Sequence, residues 1–138
     1  MLFRSLVAHA AAVRPIDVEL FPGFDSNARV DPSGLWTWQR RFRRNQTVTK
    51  LRLALKDGRL EGTYLVESDQ SPSEPTAIQS AEMVGNKVMF DVAREFRGRS
   101  FNTTYQGIVH NNELIGWRLL EFNGSPRDSA WKATRTEE

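Results

Sequence analysis

The stretch TVTKLRLALKDGRLEGTYLVE, residues 47–67, decides the fold. Its first half sets Leu51, Leu53 and Leu55 against Lys50, Arg52 and Lys56, an alternation of period two. Successive side chains of a strand point to opposite faces, so this is a strand with one buried and one wet face. Asp57-Gly58 follows. A two-residue hairpin turn favours that dipeptide because both central residues need positive φ. The second half alternates again, Leu60, Gly62, Tyr64 and Val66 against Glu61, Thr63 and Glu67. One antiparallel hairpin is written into this single stretch.

The same pattern extends in both directions. Upstream, Asp31-Pro32-Ser33-Gly34 reads as a turn, and Leu35 to Phe42 carries Trp36, Trp38 and Phe42 in phase. Downstream lies a polar, Pro-broken loop from Asp69 to Pro75, then a weaker strand from Thr76 to Met83. Lys87 to Phe96 puts Val88, Phe90, Val92 and Arg94 in one phase. Ser100 to His110 does so with Phe101, Thr103, Tyr105, Gly107 and Val109. Glu113 to Phe122 aligns Ile115, Trp117 and Leu119, and Arg127 to Arg135 aligns Ser129, Trp131, Ala133 and Arg135. Gly85-Asn86, Arg97-Gly98-Arg99, Asn111-Asn112 and Asn123-Gly124 separate these runs as turns.

Eight strands with short connections must be antiparallel neighbours in sequence order. The expectation is an all-β fold: an eight-stranded antiparallel up-and-down meander closed as a barrel over residues 31–136. Closure removes both sheet edges and leaves an interior wide enough for side chains or one small ligand. A two-sheet sandwich is the alternative. Residues 1–30 form an irregular or short-helical N-terminal arm. Met1 to Val13 is Ala-rich with Arg4 near its start, and Ala8-His9-Ala10 has the small-x-small form of a cleavage site. Its apolar run is too short and too interrupted for a convincing signal peptide. Pro15, Pro22 and Gly23 break any regular element there, while Leu20, Phe21 and Phe24 are anchors able to lie along the barrel.

Composition excludes more than it assigns. The chain has no cysteine and only two histidines, His9 and His110, which removes thiolate chemistry, cysteine metal sites and disulfides. No apolar run reaches the roughly 20 residues of a membrane-spanning helix. Lys and Arg number 19 against 17 Asp and Glu, a net charge of +2, and this balance argues against nucleic acid as a partner. No Gly-rich phosphate loop, metal-spacing motif or nucleophile–base pair is present, so a non-enzymatic protein that needs no cofactor is expected.

The inward phase names the candidate site. Trp38, Tyr64, Arg94, Thr103, Tyr105 and Trp117 are the ligand-lining candidates, with Arg94 placed to meet an anionic head group beside the two tyrosines. Arg40-Arg41-Phe42-Arg43-Arg44 is the densest charge run, and Arg40, Arg41, Arg43 and Arg44 are anion-binding candidates at the first hairpin. Strand 113–122 is apolar on both faces through Leu114, Gly116 and Leu120 opposite Ile115, Trp117 and Leu119. Such a strand is covered on both sides, by the N-terminal arm or by a second subunit in a homo-oligomer.

Several fragments resemble lipocalin-like and avidin-like barrels. Gly34-Leu35-Trp36 is similar to the G-x-W that opens their first strand, Gly62-Thr63-Tyr64 to a G-T-Y, and Thr103-Thr104-Tyr105-Gln106-Gly107 to a T-T-W-x-G. Trp117 and Trp131-Lys132 resemble the late-strand W-L-L and W-K. The resemblance implies that Trp36 and Arg135 close one barrel end by stacking. It implies no biotin site, because Trp38 and Val66 stand where the avidin clamp has Asn and Ser. Residues 31–135 also resemble a group of exported bacterial proteins without assigned activity. They share D-P-[ST]-G-x-W-x-W and an ending like Asp128-Ser129-Ala130-Trp131-Lys132-Ala133-Thr134-Arg135, which implies an extracytoplasmic location.

Two functions follow as expectations. The first is a barrel that binds a small apolar or amphipathic ligand at one mouth. The second is a structural or protein-interaction module with a filled barrel, acting through its surface and its Arg-rich first hairpin.

Overall fold

Each alternating run of the sequence forms a strand. The computed structural model describes residues 22–42, 45–68, 74–96, 98–122 and 125–136, with the side chains of 41, 42, 45, 96, 99, 122 and 125–127 outside that description. The strands are β1 (Gly34–Phe42), β2 (Asn45–Lys56), β3 (Arg59–Ser68), β4 (Thr76–Ala77), β5 (Gln79–Val84), β6 (Lys87–Phe96), β7 (Arg99–His110), β8 (Glu113–Phe122) and β9 (Ser125–Thr136). The described residues contain no helix. Of the N-terminal arm, residues 22–30 are irregular, and Leu20 and Phe21 lie outside the described residues.

All strands belong to one antiparallel sheet in the order β4-β3-β2-β1-β9-β8-β7-β6-β5. The first and last long strands therefore pair, with Trp36 opposite Arg135. The sheet curls into a nearly closed barrel whose seam lies along β4 and β5. The single strand expected over Thr76 to Met83 is divided in two, which makes nine strands where eight were expected. Its first part pairs with β3 and its second with β6. Two local features explain the division. Ser80 adopts φ 51° and the β5–β6 register shifts between Gln79 and Glu82, a bulge that re-aims the strand. On the other side, Ile78 N donates to Gly62 O at 3.0 Å, and its Cδ1 would lie 3.2 Å from a Cβ at Gly62. Glycine at 62 lets the seam approach β3.

The strands alternate in direction, so the connections sort into two ends. One end holds the turns at 57–58, 85–86 and 111–112, and the other holds the C-terminal ends of β1, β3, β6 and β8 and the N-terminal ends of β2, β4, β7 and β9. The first end is filled. Trp36, Leu51, Leu53, Leu60, Val88, Val109, Leu114 and Ala133 are buried there. Each large apolar side chain so placed contributes about 1.5–3 kcal/mol. Trp36 Nε1 donates to Pro32 O at 2.8 Å, so the indole is satisfied without water. Above it the Arg135 guanidinium sits 4.5 Å from the ring centroid and donates to the carbonyls of Asp31, Ser33 and Asn111, each at 2.9 Å. Gly34, at φ 132°, takes a conformation that side chains resist and leaves room for the Arg135 stem, 3.1 Å from where its Cβ would be. The arm is anchored at the same end: Asn86 Nδ2 donates to Gly23 O and Asn86 Oδ1 accepts from Asp25 N, both at 2.9 Å.

One strand has the opposite phase from that expected. On β8 the buried residues are Leu114 and Gly116, while Ile115 and Trp117 are 48% and 37% exposed. The reason is the bulk of Trp131. Gly116 lies opposite both Gly107 and Trp131 across its two ladders. A Cβ on Gly107 would fall 2.9 Å from the Trp131 ring, and one on Gly116 would meet the Gln106 carbonyl oxygen. Gly107 faces inward beneath the indole, Gly116 is its cross-strand partner on the same face, and every neighbour on β8 follows. Burial on both faces occurs instead on β6 and β7. There Lys87, Asp91, Thr104, Gln106 and Ile108 point away from the barrel interior yet are buried, and Thr104 Oγ1 donates to Asp91 Oδ1 at 2.6 Å.

Candidate functional site

Among the described residues the barrel interior is filled at one end and holds a cavity at the other. At the level of Trp38, small and polar residues replace the large apolar ones: Thr47 and Thr49 on β2, Thr103 on β7 and Ser129 on β9. A cavity of about 540 Å³ opens above them. Small-molecule pockets generally measure about 300–1,000 Å³.

Its floor is an aromatic cluster. Trp38 lies 6.0 Å from the Tyr64 ring, 5.7 Å from Tyr105 and 5.3 Å from Trp131, all tilted or edge-on. Phe90 stacks on Tyr105 at 5.0 Å and 12°. Such offset and edge contacts each add about 0.5–1.5 kcal/mol beyond area burial, which makes the floor rigid. Tyr64 and Tyr105 join hydroxyl to hydroxyl at 3.0 Å. The pair uses one of its two phenolic protons. Arg118 stands beside Tyr105 and has no acceptor atom, so it cannot take the second. One O–H of the floor is thus left for an acceptor that enters the cavity. Burial pushes the Tyr105 hydroxyl well above its ordinary pKa, Tyr64 adds to the rise, and Arg118 partly opposes it. Tyr105 is therefore a neutral hydrogen-bonding group, not a base.

The walls and rim carry the charge. Val66, Phe101 and Leu120 provide apolar wall, and Arg40 on β1, Arg94 on β6 and Arg118 on β8 line the opening with Asp128. Arg118 is steadied by donating Nε to Ser129 Oγ at 2.9 Å. Arg40 and Arg94 are exposed, and among the described residues no carboxylate pairs with either.

The structure brings together five of the six ligand-lining candidates: Trp38, Tyr64, Arg94, Thr103 and Tyr105. Trp117 does not join them, because the β8 phase turns it to the outer surface. Arg118, one residue on, takes the inward position. The opposed glycines Gly107 and Gly116 were the signal for it, since Gly107 makes room for the Trp131 ring and Gly116 for the close β7 backbone. Of the anion-binding candidates, Arg40 lines the cavity. The Arg41 side chain and both Arg43 and Arg44 lie outside the described residues. Trp36 and Arg135 stack at the opposite end. His110 is exposed by the 111–112 turn, at the end away from the cavity. No family model matches the chain, and neither does any curated protein or solved structure.

Proposed function

We propose that this protein is a non-enzymatic binding barrel that takes a small amphipathic molecule into its open mouth. The observation that carries the reading is the half-filled interior: a sealed, apolar end below and a cavity of about 540 Å³ above a rigid aromatic floor. A protein selected only for stability gains by filling that space, since each buried methylene contributes about 0.8 kcal/mol. The Trp36–Arg135 stack, expected from the sequence's resemblance to lipocalin-like and avidin-like barrels, fits the same reading.

Titration with a neutral apolar fluorophore, N-phenyl-1-naphthylamine, tests it. The expected result is saturable enhancement at one probe per chain, abolished by Thr103→Trp, which fills the cavity, and unchanged by Trp117→Ala on the outside. No enhancement, or enhancement indifferent to Thr103→Trp, would overturn the reading.

A second reading, an interaction module, has one observation in its favour: Ile115 and Trp117 form an exposed apolar strip on β8. Its occupant would be a second copy of the chain. Light scattering behind size exclusion reports this directly, with a dimer abolished by Trp117→Ala supporting it and a monomer at all concentrations sinking it.

A further inference from the structure

Three arginines reach the same opening from three separate strands. Arg40, Arg94 and Arg118 stand on β1, β6 and β8, which are not adjacent in the sheet, and only the curl of the barrel brings them to one mouth. Among the described residues Asp128 is the one acid lining that mouth, and it has an interaction of its own. Like charges gathered at an opening repel one another unless an anion joins them, and low-dielectric walls focus their field on whatever enters. The floor adds a donor of the same sense, the phenolic O–H left over from the Tyr64–Tyr105 pair. Guanidinium groups hold oxyanions through paired, planar N–H donors, which a surface lysine cannot reproduce. Between rim and floor the wall is apolar at Val66, Phe101 and Leu120.

We infer that the natural ligand is an anionic amphiphile: an apolar body held between the walls and an oxyanion head, carboxylate or phosphate, gripped by Arg40, Arg94 and Arg118. This rests on the mouth-binding reading and names the ligand class for it. Lys50, Lys56 and Lys132 illustrate the contrast, since each of these surface cations pairs with a glutamate across its ladder. The mouth arginines have no such neighbour to neutralise them among the described residues, apart from Asp128 at the rim.

Matched ligands test the inference without knowledge of the natural one. Calorimetric titrations of the whole chain would use decanoate, decyl phosphate, decanol and decyltrimethylammonium. Decanoate or decyl phosphate is expected to bind at least about tenfold more tightly than decanol, with the cation weakest. Whichever of the two anions binds tighter identifies the head group as carboxylate or phosphate. In Arg40→Gln/Arg94→Gln the preference for anion over decanol should collapse toward unity, and Arg94→Lys should restore only part of it. Raising salt from 0.05 to 0.5 M should weaken the anions and not decanol. Equal affinity for decanol and the two anions would overturn the anion assignment and leave mouth binding standing. Binding of none of the four would overturn both. Anion preference that survives the double Arg variant would place the anion elsewhere and overturn the assignment.

Discussion

Arg135 shows how much one side chain can do in a small barrel. It donates to the Asp31 and Ser33 carbonyls of the turn before β1 and to the Asn111 carbonyl of the 111–112 turn, while covering the Trp36 ring. Hydrogen bonds from a charged group contribute about 1.5–3 kcal/mol when buried, and this group is only partly so. Arg135→Ala is expected to cost about 2 kcal/mol in urea unfolding, and Arg135→Lys to recover little, because an ammonium cannot span the three carbonyls. Gly107→Ala should cost about 1–3 kcal/mol by the same measurement, since its Cβ collides with the Trp131 ring, and Gly116→Ala should cost more because its Cβ meets backbone. Lys87 gives a pH signature. Burial lowers its pKa from 10.5 to about 8, with Glu82 opposing the shift. Between those values the unfolded chain holds a proton that the folded chain has lost, so stability rises with pH. Urea unfolding of the wild type and Lys87→Met from pH 7.5 to 10.5 should show the difference between them moving in the wild type's favour. A difference that stays flat would mean that Lys87 is solvated.

Among the elements, β8 separates what alternation can and cannot specify. Its sequence offers two apolar faces, Leu114, Gly116 and Leu120 against Ile115, Trp117 and Leu119, and hydrophobicity alone favours the second. Packing chooses the first, because Trp131 needs the space over Gly107 and the β7 backbone at Gln106 and Gly107 leaves no room for a Cβ at Gly116. Acrylamide quenching of single-tryptophan variants should therefore find Trp117 readily accessible and Trp36 and Trp131 protected. The other long strands carry one clearly apolar face each, and they fall within a residue or two of the sequence reading: β1, β2, β3, β6 and β7 hold Trp36, Leu51, Tyr64, Phe90 and Tyr105 inward as their alternation requires. The fourth run was legible as a strand but not as a divided one. The division depends in part on Ile78 meeting Gly62 of β3, a contact that alternation within the run does not encode. The site was legible to the same extent. Tyr64, Tyr105, Trp38, Thr103 and Arg94 follow from phase, whereas Arg118 follows only once the β8 phase is known.

At the scale of the whole molecule, closure explains both ends. Pairing of β1 with β9 brings Arg135 to Trp36, and the same curl gathers Arg40, Arg94 and Arg118 at the opposite mouth. On the proposed reading, stability and binding occupy separate halves of one barrel. The filled half holds the fold, and the hollow half, with its floor fixed by five aromatic rings, is free to accept a ligand. Substitutions at the mouth are accordingly expected to alter affinity with little change in unfolding midpoint, and those at the sealed end to do the reverse. The most direct measurement is a ¹H–¹⁵N spectrum of the indole N–H groups of the four tryptophans during titration with decanoate. Trp38 should shift saturably while Trp36, at the sealed end, and Trp117, on the outer face, stay in place. A saturable shift at Trp117 with Trp38 unmoved would contradict the account and put the binding surface on the outside of β8.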